Sequence, residues 1–133
     1  MARLDKREMA VIFLGGALGS LLRVWIAHTL TSPVASWPWA TFVVNASGCF
    51  LLALVATGVR ELEPESPHWH PLVGTGFCGA YTTFSTMQLE LLRMLDHDRY
   101  GLALGYGVAS VLSGYLAILA GSALVRRHPR LRV

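Results

Sequence analysis

Residues 74–86 read GTGFCGAYTTFST, a run of three glycines followed by hydroxyl-bearing and β-branched side chains inside a longer apolar segment. Glycine, threonine and serine are poor formers of a helix interior, and their clustering predicts a break in the helix. A break frees backbone N–H and C=O groups. In lipid such groups must be buried against protein, line a cavity or coordinate an ion. Released carbonyls suit a cation, and half-helix N-termini suit an anion.

The surrounding chain explains why lipid is the relevant solvent. Of 133 residues, 53% are hydrophobic and 14% charged, with a mean hydropathy of +0.49. Soluble domains carry about 25% charged residues, so an ordinary soluble enzyme or a nucleic-acid binder is disfavoured despite the net charge of +3. Four apolar segments stand out, at about residues 9–30, 38–59, 72–95 and 100–125. Each is long enough to cross a bilayer with some tilt. The expected fold is all-α: one polytopic domain over 1–133, with four transmembrane helices and the third one broken. Little length remains for an extramembrane domain. The basic start, MARLDKREM, resembles a signal peptide, but no cleavage site follows and the apolar run reaches spanning length, which predicts a retained first helix.

The connections are short. Residues 31–37 form a polar turn with Pro33, and Pro38 suits a helix start. Residues 60–71 make the one hydrophilic loop, where His68 and His70 flank Trp69 and read as solvated rather than as metal ligands. Residues 96–99 form a tight hairpin. Trp37, Trp39 and Trp69 fall at span ends, where amphipathic rings favour headgroups. Cys49 and Cys78 lie in apolar runs and form neither a disulfide framework nor a metal-ligand cluster. Gly15 and Gly19, and again Gly101 and Gly105, make small faces for close helix packing.

Polar groups within spans mark candidate sites. Thr41, Asn45 and Gly48 share one face of the second helix, and Tyr106, Ser110 and Ser113 share one face of the fourth. Each stripe reads either as interhelical glue or as an ion lane. Arg23 is embedded in the first helix, while Glu90 lies late in the third segment near Arg93, a natural pairing. The central sections therefore hold hydroxyls, an amide, ring edges and one arginine, an inventory that suits an anion.

Three stretches then resemble the Fluc (CrcB) fluoride channel family: GGALGSLLRVW (15–25), TFVVNASGCFL (41–51) and GFCGAYTTFSTM (76–87). The resemblance implies a passive fluoride-selective channel that exports the anion across a bacterial-type inner membrane, and no enzyme. It implies an antiparallel dimer with two pores and a central structural sodium ion (Na+). It assigns Asn45 as the pore asparagine, Phe84 as the first phenylalanine of an aromatic fluoride site, and Arg23 as the arginine of the first-helix motif. It also assigns Gly79 and Thr82 as backbone-carbonyl ligands of sodium, with Thr41, Tyr106 and Ser110 as polar-track residues.

Two features depart from the family pattern. Met87 stands where a second phenylalanine is usual, and a thioether supplies shape rather than a positive ring edge. Lys and Arg are also lopsided. Arg3, Lys6, Arg7, Arg60, Arg126, Arg127, Arg130 and Arg132 fall on the terminal side, against Arg93 and Arg99 on the other, which favours cytoplasmic termini. Two outcomes stay open: a dual-topology homodimer, or a one-way subunit paired with an opposite-topology paralogue. The competing transport reading is a small multidrug exporter, which needs a carboxylate in an early helix; none lies between Met9 and Val59. A structural subunit held by glycine faces would leave the third-segment break unexplained.

Overall fold

Helix follows helix throughout the computed structural model, which describes residues 5–61 and 70–127. The loop carrying His68 and Trp69, and Arg3, Arg130 and Arg132, lie outside the described residues. Helix α1 spans Lys6–Thr29 and α2 spans Trp39–Glu61. A π-helical segment, His70–Cys78, continues into the single turn α3, Gly79–Tyr81. After an interruption come α4, Phe84–Asp96, and α5, Tyr100–Arg127. Among the described residues there is no strand.

Local chemistry sets the ends. Asp5 caps α1 by accepting the Arg7 N–H at 3.0 Å. The Pro38 carbonyl accepts the Phe42 N–H at 3.1 Å as α2 begins. The α4–α5 hairpin closes with the Arg99 N–H on the Met94 carbonyl at 2.8 Å. Asp98 turns that corner at φ 57°, a left-handed conformation that short polar side chains tolerate.

Three helices, α1, the Trp39–Gly58 part of α2, and α5, are long and apolar enough to cross a membrane. Their large side chains point outward: Phe13 is 75% exposed and Leu104 71%. In water such a surface would be untenable, whereas in lipid it is the expected solvent contact. The protein is an all-α polytopic membrane protein.

The third apolar segment behaves differently from a simple broken helix. Gly74 and Gly76 do not interrupt it; they lie within the widened π turns, and the interruption comes later, at Thr82–Thr83, both extended. The reason is a partner helix. The π segment lies against the Gly15/Gly19 face of α1, where a Cβ at Gly15 would strike the Leu72 carbonyl and one at Gly19 the Phe77 carbonyl. Backbone meets backbone there, which only glycine permits.

The other glycine face has no such role within the chain. A Cβ at Gly101 or Gly105 would meet open space. Instead α5 meets α2 through Gly121, where a Cβ would lie 2.7 Å from the Phe50 carbonyl, and through a Thr57–Ser122 hydroxyl contact of 3.2 Å. Met94, Ala103 and Tyr106 form a small core between α4 and α5. Trp37 packs into it, edge-on to Tyr106 with ring centroids 5.5 Å apart, rather than serving only as a span-end ring.

Candidate functional site

The interruption between α3 and α4 is held open by one side chain. Thr83 is extended, and Asn45 of α2 pairs with both of its backbone groups. The Thr83 N–H donates to Asn45 Oδ1 at 2.8 Å, and Asn45 Nδ2 donates to the Thr83 carbonyl at 3.0 Å. The backbone donor fixes which way the amide faces. One Asn45 N–H remains for another acceptor. Thr83 in turn caps α4: its Oγ1 accepts the Thr86 N–H at 3.2 Å and donates to Thr86 Oγ1 at 2.9 Å.

These bonds account for freed carbonyls at defined positions. In a continuous helix the Gly79 carbonyl would receive the Thr83 N–H, and the Thr82 carbonyl the Thr86 N–H. Both donors are engaged elsewhere, by Asn45 and by the Thr83 hydroxyl. The Thr82 N–H and hydroxyl both return to the Cys78 carbonyl, at 3.0 and 2.9 Å. Gly79 is exposed, with nothing within 4 Å of a Cβ placed on it. Two neutral carbonyl oxygens near an open surface fit a hard monovalent cation such as sodium. Among the described residues no three His, Cys, Asp or Glu side chains gather as a metal site.

Six of the residues singled out from sequence line one cleft of about 390 Å³: Asn45, Gly79, Thr82, Phe84, Met87 and Ser110. Phe84 opens α4 and is 70% exposed, so its ring edge is available to a neighbour. Ser110 Oγ is buried without a hydrogen-bond partner. A buried hydroxyl left unpaired is costly and calls for a ligand or water. The N-terminus of α4 adds a positive dipole end.

Arg23 and Thr41 line a neighbouring cleft of about 260 Å³, together with Thr83 and Thr86. The Arg23 Nε is buried and unpartnered. A third cleft, about 290 Å³, opens between the 31–38 loop and Glu90 and Arg93. Thr41 and Thr86 are common to this cleft and the Arg23 cleft, and Thr83 joins the Arg23 cleft to the Asn45 cleft. The three adjoin along one route past the break, sharing threonine walls.

Glu90 is the residue that sequence reasoning left outside this route. Its hydrogen-bond partners are hydroxyls, not the Arg93 side chain expected beside it. Thr41 Oγ1 donates to Oε1 at 2.6 Å and Tyr106 OH donates to Oε2 at 2.9 Å. One carboxylate thus engages two of the expected polar-track hydroxyls, one from α2 and one from α5. Tyr106 is wholly buried and lines none of the three clefts. A signal was present, since Glu90 lies three residues after Met87 on the same face of α4. The stripe on α5 divides as well: Ser113 donates to the Ser110 carbonyl at 3.1 Å, a local bond that leaves the Ser110 hydroxyl free.

Comparison with known proteins places this geometry in a lineage. Residues 10–122 match the family described as CrcB-like protein, Camphor Resistance (CrcB). The fluoride-specific ion channel FluC 1 of Mycolicibacterium paratuberculosis is 50% identical over 127 residues, 96% of this chain and 96% of its own length. FluC 1 of Mycobacterium bovis is 46% identical over 123 residues, covering 92% of this chain and 93% of its own. FluC of Acidobacterium capsulatum is 41% identical over 120 residues, 87% and 94% of the two chains. With the match running through all the helices and across the interruption at Thr82–Thr83, the chain belongs to the CrcB-like family.

Proposed function

We propose that this protein is a passive fluoride-selective channel of the inner membrane, exporting fluoride through two pores of an antiparallel homodimer. The observation that carries this reading is the cleft at the break, lined by Asn45 with one amide N–H unused, by the unpaired Ser110 and by the exposed Phe84. Fluoride is small and tightly hydrated. A pore must replace its water with close donors or positive ring edges, and this cleft offers both without a fixed negative charge. The names of the most similar relatives point the same way.

Each side chain has a distinct task in this scheme. Arg23, with its buried Nε unpartnered, draws the anion toward the route by charge. Asn45 holds the break open and offers its second N–H to the passing ion. Ser110 donates from α5, and Phe84 presents its edge from α4. Met87 fills the cleft wall. Thr41 and Tyr106 act through Glu90: while their hydroxyls donate to its carboxylate they offer no proton to fluoride. They set the shape of the route instead of solvating the ion. The Gly79 and Thr82 carbonyls would hold a structural sodium ion, with a second copy of the chain supplying two more ligands. That ion would join the subunits and take no part in conduction.

The test is fluoride efflux from liposomes containing the purified protein, with chloride as control. Fluoride flux with negligible chloride flux is expected; absence of fluoride flux or equal chloride flux would overturn the reading. Tags at the termini should be accessible from both sides of the membrane in a dual-topology homodimer. Strictly one-sided labelling would replace it with a one-way subunit and an opposite-topology paralogue.

A further inference from the structure

The cleft at the break holds a second set of groups that fluoride conduction does not use. Both cysteines of the chain, Cys49 and Cys78, line it together with Met87. Both thiols are free. They come from different elements, Cys49 from α2 and Cys78 from the end of the π segment. The contact between these elements is close. Gly48, beside Cys49, backs onto the turn after Cys78, where a Cβ would press on the Thr82 side chain and lie 3.3 Å from Tyr81 Cδ1. The Cys49 sulfur faces α5, 3.5 Å from where a Gly114 Cβ would stand. Cys78 is 2% exposed and Cys49 half-buried.

Three sulfur-bearing side chains lining one cleft make a donor set of a particular kind. Thiolate and thioether are soft ligands that select soft cations and bind sodium, magnesium or calcium poorly. We propose that Cys49, Cys78 and Met87 form a binding site for one soft, thiophilic cation of the Cu+, Ag+ or Hg2+ class, and that its occupancy closes the cleft to anions. Binding exchanges protons for metal with no change of oxidation state. Two thiols and one Hg2+ give one bis-thiolate mercury and two protons, which leave through the cleft to water. A monovalent cation between two thiolates leaves a net charge of −1 beside Asn45 and Phe84, which repels fluoride. Divalent mercury leaves no net charge and obstructs by volume. The 28 residues between the cysteines conceal their shared cleft, because it exists only where α2 packs on the third segment.

The binding half of this proposal is independent of the proposed channel activity; the closing half rests on it. The experiment has two arms, both on the full-length protein with Hg2+ as probe. In the first, purified protein is titrated and the thiolate-to-mercury ultraviolet absorption gives stoichiometry and affinity. One Hg2+ per chain is expected, and Cys49→Ala should bind about a hundredfold more weakly because chelation is lost. Two ions per chain, or wild-type affinity in Cys49→Ala, overturns the site. Cys49→Ala is the chosen variant because Cys78 is fully packed and its replacement endangers folding. In the second arm, fluoride efflux from liposomes is measured before and after Hg2+. Wild-type flux should cease and return with excess dithiothreitol, while Cys49→Ala conducts throughout. Undiminished wild-type flux with the site filled overturns the closing. A protein that carries no fluoride before Hg2+ is added fails as a channel, and the titration still decides whether the site exists.

Discussion

The π segment and α4 are two halves of one apolar run, yet they are secured by opposite means. The π segment is held by backbone proximity, with glycines of α1 admitting its carbonyls, and the adjoining turn adds a side-chain contact to α2, Tyr81 to Ser47 at 2.9 Å. Helix α4 is held by directed polar contacts: Asn45 at its start, Thr41 and Tyr106 on Glu90 in its middle. The first half exposes few polar groups and can only be packed. The second half carries the polar groups that face the ion in the proposed channel. Placing the interruption between them lets a rigid half anchor a chemically active one.

Substitutions that exchange these two modes should separate them. The largest effect is expected in the packed half. Gly19→Leu drives a side chain into the Phe77 carbonyl, a backbone atom that cannot yield, at a cost of about 3 kcal/mol or more. Folded, monodisperse protein should be lost in size-exclusion chromatography. Gly105→Leu, on the face that meets open space, should leave the chain's own packing intact. Next is Asn45→Ala, which strands two backbone groups of Thr83 at about 1–3 kcal/mol each. Flux should vanish and the unfolding temperature fall; an undisturbed thermal midpoint would show that Asn45 does not hold the break.

Smaller effects belong to the ion-facing half. Phe84→Ala should lower fluoride flux by about tenfold, the worth of a ring-edge contact near the top of the usual range, with little change in thermal stability because the ring is mostly exposed. Met87→Ala should reduce flux less, since it supplies shape alone. Equal losses at the two positions would make Met87 an ion contact as well. The smallest change is expected from Glu90→Gln, which keeps one oxygen facing Thr41 or Tyr106 and turns an NH2 donor toward the other hydroxyl. A change in flux of a few-fold would mark the freed hydroxyl, and an unchanged flux would confine Glu90 to a structural role.

Much of this arrangement is legible along the chain. The apolar runs, the weak helix formers at 74–86, the shared face of Thr41, Asn45 and Gly48, and the motif around Phe84 are all local patterns. What escapes is whatever a distant partner decides. The interruption falls inside the 74–86 run, at Thr82–Thr83, where Asn45 offers an alternative to the helix ladder, but the run does not show that Gly74 and Gly76 stay within π turns packed on α1. Glu90 looks paired with Arg93 because they are neighbours in sequence. Its actual donors lie 49 and 16 residues away, brought in by α2 and α5. Gly101 and Gly105 look like a packing face, and among the described residues nothing lies within 4 Å of a Cβ placed on either.

The double hydrogen bond between Asn45 and Thr83 also constrains how the helices can slide. A longitudinal shift of α2 past α4 would shear both bonds in the same instant, because they join one side chain to one peptide residue. The pair behaves as a dowel between two beams. In the proposed channel that restraint would hold the width of the cleft lined by Asn45 and Phe84. A gauge of fixed width discriminates by ionic radius, which is the property needed to pass fluoride and stop chloride.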